Sequence, residues 1–352
     1  MRLDFRRFDL RLRHSWAIAS DVRAGQVGGK LSYPVVFVDL VDDRGRIGLG
    51  EGSPSSQYAE TWETCFDFLQ RVDPQRLSFD DISGSMRYLE SIHPGRYPAK
   101  CALNLALLDG AATAAGQSVA EFLGLAAWAE GRHVSSFTIG LDTPERIERK
   151  VHEASAYSVL KMKVGGPVDV ENLAALRRAA PTKPIRVDAN AAWKTKEEAL
   201  RQLEWLASDG RVEFVEQPMP AETPTRDLVW LRERSPLLLV GDESYQSAAD
   251  VDKCADAYAG VNVKLVKTGG LTAAKSALEA ARARGLKTML GCMIESSVLI
   301  SAAAQLASLT DWLDLDGNVL IDNDPYRGVV NDGGRLSFLS MAHRPGLQVM
   351  RR

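Results

Sequence analysis

The sequence predicts an α/β protein: a TIM-like (β/α)7β barrel with an N-terminal α+β capping domain that the C-terminal tail returns to complete. Three observations lead there. From His133 onward the chain repeats one unit, a short apolar strand, a polar or Gly-containing turn and a helical stretch. Strands that alternate with helices must pair in parallel, because a parallel connection needs a crossover, and the eight strands legible here are enough to close a barrel. An open doubly wound sheet is the competing architecture, and it would normally carry a GxGxxG phosphate loop after an early strand, which is missing.

The elements follow in order. Leu31 to Leu40 and Ile47 to Glu51 flank the polar turn VDDRGR and read as a hairpin. Glu60 to Val72 and Phe79 to Ser91 carry apolar residues at helical spacing, and Ala99 to Ala115 is an alanine-rich helix whose small side chains allow close packing. These elements make residues 1–125 an α+β domain of its own, the one expected to act as the cap. The barrel, residues 126–320, has strands in SSFTIG, SVLKMKVG, PIRVDAN, VEFVEQP, LLLVGDES, GVNVKLVK, KTMLGCMIE and WLDLDG. Helical patterns run between them, among them Thr143 to Ala156, Val170 to Ala180, Thr195 to Ser208, Thr223 to Arg234 and Leu271 to Arg284. The tail, residues 321–352, is rich in Pro, Gly and charge and is expected to fold back onto the cap.

Composition narrows the function. The chain has 352 residues, 45% hydrophobic and 25% charged, and its 43 basic against 46 acidic residues are scattered. No nucleic-acid partner and no membrane is indicated. The longest apolar stretches fall short of a membrane span and the start lacks a secretory pattern, so a cytoplasmic location is expected. A homo-oligomer is compatible with the sequence. Cys65, Cys101, Cys254 and Cys292 lie far apart with no CxxC pair, which predicts neither a zinc site nor a disulfide framework.

The polar residues that interrupt the apolar strands fall at their carboxyl ends, where barrel enzymes keep their chemistry. Asp188, Glu216 and Asp242 are 28 and 26 residues apart, one strand-helix unit each, so they take equivalent positions on neighbouring strands and converge. Three converging carboxylates call for a cation, and an all-oxygen set without His or Cys favours Mg2+. The alternative is that each acid caps the helix after its strand. Lys161 and Lys163 are two apart and share one face, where each is expected to lower the other's pKa. Lys264 comes four strands later, across the mouth. Lys267 is read as exposed or in a structural ion pair. Asp314 and Asp316 also share a face, and two further carboxylates there would hold a substrate ammonium, although turn duty beside Gly317 remains open for Asp316. Cys292 can be an inert small residue.

A metal between opposed lysines suits removal of a proton α to a carboxylate, with the enediolate charge stabilised by the metal and Lys161. Lys163 and Lys264 then serve opposite faces of the carbon, and the stereocentre inverts. In this order and spacing KMKVG, VDAN, VEQP, GDES, VNVKLVKTGG and GCMIES resemble the enolase superfamily, in its muconate-lactonizing subgroup, and GLGEGSPSSQYAE resembles that family's cap. DLDG, Asp314 to Gly317, resembles the dipeptide epimerases of the L-Ala-D/L-Glu type, in which such a DxD binds the substrate's α-ammonium.

That resemblance implies Asp188, Glu216 and Asp242 as Mg2+ ligands and Lys163 with Lys264 as the acid/base pair. It also implies Lys161 and Thr138 as substrate contacts, with Cys292, Asp314 and Asp316 lining the pocket. The expected activity is Mg-dependent epimerisation of dipeptides. The alternatives are an N-acylamino acid racemase, o-succinylbenzoate synthase or cycloisomerase of the same superfamily, a Schiff-base lyase, or a barrel kept only for binding. The loop His14 to Lys30, with Asp21 and Arg23, fits no specificity pattern of the family and is expected to close over the mouth and select the side chains.

Overall fold

The computed structural model describes residues 1–126 and 128–352. At the N-terminus β1 (Arg2–Trp16), β2 (Lys30–Val41) and β3 (Ile47–Gly52) form an antiparallel sheet in the order β1-β2-β3. The predicted hairpin is its β2–β3 half. The long first strand, which no sequence pattern singled out, pairs along β2 from Arg2 opposite Val41 to Arg11 opposite Ser32. Three helices follow: α1 (Trp62–Leu69), α2 (Ile82–Ile92) and α3 (Tyr97–Ala115).

The sheet packs on α3 closely enough to decide sequence on both sides. A Cβ at Gly48 would lie 1.9 Å from the Ala106 carbonyl oxygen, one at Gly50 1.8 Å from that of Ala102, and one at Gly52 2.3 Å from that of Pro98. The alternate glycines of GLGEG and the alanines of α3 are therefore one interface in which backbone meets backbone. Around it Val36, Val38, Leu40, Phe68, Leu69, Leu89 and Leu103 form an apolar cluster of the cap's own.

The barrel strands are β4 (Phe137–Ile139), β5 (Leu160–Lys163), β6 (Ile185–Asp188), β7 (Val212–Glu216), β8 (Leu238–Gly241), β9 (Gly260–Val263), β10 (Lys287–Gly291) and β11 (Trp312–Asp314). All pair in parallel with their sequence neighbours. A bridge between Ser135 and Leu313 brings β11 back beside the start of β4. The predicted helices appear outside the ring: Pro144–Glu153, Asp169–Ala179, Lys196–Ala207, Thr225–Arg234 and Leu271–Ala283.

Strand alternation sorts the side chains. On β5, Leu160 and Met162 join the apolar cluster beneath the helices, so Lys161 and Lys163 face the interior. Residues near the C-terminus contact the first 125 residues at several points. Tyr326 packs tilted against Phe37 with ring centroids 5.0 Å apart and accepts from Arg6 Nη2 at 2.6 Å, Ile321 bridges Leu12, and the Leu347 amide donates to Asp109. Among the described residues no helix is long and apolar enough to cross a membrane.

Candidate active site

The carboxyl ends of β5 to β9 bring Asp188, Glu216 and Asp242 together, fully buried, with one carboxylate oxygen from each lying within 4.8 Å of the others. None caps a helix: Asp188 Oδ1 accepts from the Asn190 amide at 2.9 Å, and the next helix is capped by Thr195. Four lysines surround the three acids. Lys163 Nζ donates to Asp188 Oδ2 at 2.6 Å, and Lys264 Nζ to Asp242 Oδ2 at 2.7 Å. Lys161 Nζ lies 3.1 Å from Asp188 Oδ2, 2.8 Å from Glu216 Oε2 and 2.7 Å from Asp314 Oδ2. Lys267 is buried, not exposed, and holds Asp242 through its carboxylate and its carbonyl.

These pairs set the electrostatics. Burial would raise the Asp188 carboxyl, but Lys163 and Lys161 outweigh it and bring it to about 2. Lys264 and Lys267 likewise outweigh burial and hold Asp242 well below the carboxylate range. Glu216 has less lysine charge to itself, and burial with the neighbouring Asp188 charge pushes it up to about 7. The expectation that Lys161 is lowered by Lys163 fails. Burial presses it down, yet Asp314, Glu216 and Asp188 together hold its pKa well above the ordinary lysine value.

The set fits a hard divalent cation. Every donor is a carboxylate oxygen, and Glu216 Oε2, close as it is to Lys161, makes no aligned hydrogen bond and remains open to a ligand. It is the one such group among the described residues.

At the closing strand the two aspartates differ. Asp314 Oδ2 pairs with Lys161, and its Oδ1 accepts from Ser136 Oγ at 2.7 Å and Thr138 Oγ1 at 3.3 Å. Asp316 Oδ2 accepts from the Thr138 amide at 2.6 Å, while its Oδ1 has only the Cys292 thiol at 3.7 Å. Burial, reinforced by Asp314, pushes Asp316 up to about 7. Burial beside Asp316 also raises Cys292, which stays a thiol and is no nucleophile. Thr138, Lys161, Lys163, Lys264, Cys292, Asp314 and Asp316 line one cavity, roofed from the cap by Trp16, Ile18, Tyr33, Ser53 and Gln57.

Asp21 and Arg23 are elsewhere. Asp21 accepts from the Ile18 amide at 3.1 Å and Arg23 is exposed, so the loop presents its uncharged neighbours to the mouth. Sequence reading passed over Gln57, Tyr58, Asn190 and Glu243. The last two stood in plain view, two residues after Asp188 in VDAN and one after Asp242 in GDES.

A parallel barrel with buried carboxylates and lysines at its carboxyl end, under a cap, defines the barrel enzymes that act on small molecules at that face. The comparisons narrow this further. Residues 143–337 match the family model described as enolase C-terminal domain-like. The chain is 52% identical over 349 residues to an L-Ala-D/L-amino acid epimerase of Pedosphaera parvula (strain Ellin514), covering 99% of both chains. It is 35% identical to an L-Ala-D/L-Glu epimerase of Bacteroides thetaiotaomicron, covering 100% of this chain and 88% of that one. A dipeptide epimerase from Cytophaga hutchinsonii, solved with Mg and the dipeptide D-Ala-L-Val, aligns with a TM-score of 0.90 at 25% identity, covering 99% of this chain and 95% of that one. This chain belongs to the enolase superfamily.

Proposed function

We propose that this protein is an isomerase that epimerises dipeptides at the carbon α to the carboxylate, with Mg2+ held by Asp188, Glu216 and Asp242. The observation that carries the reading is Asp316, a buried carboxylate with an oxygen that has no cation, facing the cavity that holds two lysines from opposite strands. An α-ammonium is the group that such an oxygen lacks. The epimerase names of the relatives support the same reading. The division into a cap (1–125), a barrel (126–320) and a returning tail (321–352) belongs to the proposal and is supported by the cap's separate apolar cluster.

A divalent cation at the three acids would bind the substrate carboxylate and stabilise the second negative charge that builds there as the α-proton leaves. Lys161, charged and central, adds its ammonium to the same oxygens. Thr138 orients the other end by donating its amide to Asp316. Lys163 on β5 and Lys264, next after β9, are held from opposite sides by Asp188 and Asp242. In the free protein burial lowers the Lys264 pKa, but Asp242 and Glu216 outweigh it, so Lys264 is charged and begins as the proton donor. Lys163, once neutral, removes the α-proton from its face, Lys264 returns one from the other, and the roles exchange in reverse.

The test is incubation with L,L-dipeptides in deuterated water with Mg2+, reading mass gain at the α-carbon, alongside the same peptides N-acetylated. Turnover of free peptides alone is expected. Equal rates on both forms would transfer the assignment to an N-acylamino acid racemase.

A further inference from the structure

The barrel interior holds a polar side chain that the proposed reaction leaves unused. On β9 Val261 and Val263 join the apolar cluster beneath the helices, so Asn262 between them faces the interior, two residues before Lys264. There it ends a chain of contacts among side chains of alternate strands. Asp314 of β11 lies 2.7 Å from Lys161 of β5, Lys161 lies 2.8 Å from Glu216 of β7, and Asn262 Nδ2 donates to Glu216 Oε1 at 2.8 Å. Asn262 and Glu216 are both fully buried.

An amide at this place does not serve its own stability. Asn262 Oδ1 has no hydrogen-bond partner, and a buried acceptor left open is a cost that leucine, close to it in shape, would avoid. The neighbouring strand nevertheless makes room for it. A Cβ at Gly291 on β10 would lie 2.7 Å from both Asn262 Nδ2 and Oδ1, whereas the backbone there has no positive φ that would call for glycine. The space left empty at residue 291 is the space the amide fills. The main chain of Asn262 belongs to the same site, since its carbonyl accepts at 3.0 Å from Lys267 Nζ, which also holds Asp242. With Oε1 fixed by a donor, the other oxygen of Glu216 is the one turned to its fellow acid: Lys161 Nζ lies 2.8 Å from Glu216 Oε2 and 3.1 Å from Asp188 Oδ2.

We infer that Asn262 is a positioning residue for Glu216: its amide, seated over Gly291, fixes Oε1 so that Oε2 is the oxygen presented to the divalent cation. The inference rests on the Mg2+ site proposed above. Its test measures Mg2+ affinity by calorimetry, and Tm with and without Mg2+, in the wild type, Asn262→Leu, Gly291→Ala, Asn262→Ala and the double variant Asn262→Ala with Gly291→Ala. Asn262→Leu should weaken Mg2+ binding by about 10–100-fold, the usual cost of losing a group that orients a metal ligand, and the rise in Tm that Mg2+ produces should shrink with it. Gly291→Ala should weaken binding as well, because its methyl group displaces the amide. In the Asn262→Ala background the same methyl group meets no amide, and it should change the affinity by less than about twofold. Wild-type affinity in Asn262→Leu and Gly291→Ala, with Tm lowered equally with and without Mg2+, would make Asn262 a packing residue only and overturn the inference. Losses that multiply in the double variant overturn it too, since Gly291 would then act by another route. Should Asn262→Leu fail to fold, Gly291→Ala and the double variant decide. A wild type that binds no Mg2+ removes the metal site and this inference together.

Discussion

At the three-acid end of the cavity Asp188 and Asp242 each accept from lysine ammoniums, whereas at the closing strand Asp316 has an amide on one oxygen and a distant thiol on the other. Both ends are buried, so the difference lies in the cations the chain itself supplies. A buried carboxylate with paired lysines stays ionised, and one without them drifts toward its neutral form. The three-acid end is thus charged by the chain's own lysines. On the proposed function the Asp316 end would be completed by the substrate's ammonium. Asp314 sits between the two, tied to the three-acid end through Lys161.

The contrast can be broken hardest at the lysines. Lys163→Ala and Lys264→Ala should each lower kcat by about 10²–10⁴-fold, the usual worth of a positioned acid or base. Each variant keeps one base, so each should slowly exchange the α-proton of one epimer only, and the two should choose opposite epimers. Epimerisation by either variant near the wild-type rate would replace the two-base scheme with a single-base one. Next in size is Glu216→Gln, which removes the ligand with the open oxygen. Mg2+ affinity measured by calorimetry should fall by about 10–100-fold or more, with activity. Full turnover after exhaustive chelation would remove the metal from the mechanism.

Asp316 sharpens the other side of the comparison through pH. Its carboxyl is pushed up to about 7 in the folded protein, against about 3.9 in an unfolded chain. Below about pH 4 both states hold the proton. Between about 4 and 7 the unfolded chain releases it first, so this group costs stability as pH rises through that window. Asp316→Asn should therefore raise Tm over the wild type near pH 8 by a few degrees and leave it unchanged near pH 4. For the wild type, KM for an ammonium-bearing dipeptide should fall as pH rises through about 7. A pH-independent Tm difference would mean that Asp316 is already ionised at low pH. The smallest effect is expected from Asp21→Ala and Arg23→Ala, which do not line the cavity: stability within about 0.5 kcal/mol and the same dipeptide profile. A changed profile would restore that loop as a selector.

Much of this was legible in the sequence because it is periodic. The strand-helix repeat places Asp188, Glu216 and Asp242 one unit apart, and alternation alone puts Lys161 beside Lys163 on one face, so barrel, acid cluster and opposed lysines follow from spacing. The hairpin and the alanine-rich helix were readable for the same reason. β1 was not, since much of its length is charged or exposed and its partner is β2 rather than a core face.

What only the tertiary structure decided is who pairs with whom. Lys161 and Asp314 are 153 residues apart, and Glu243 meets Gln57 across 186, distances over which no local pattern carries information. The free energy of a buried charge depends on the groups within a few ångströms of it, and those come from the cap, the closing strand and the loops together. Sequence periodicity therefore determined the barrel and the positions of its acids and lysines. The burial that holds Lys161 as a shared cation and leaves Asp316 without one exists only once the cap has closed over the mouth.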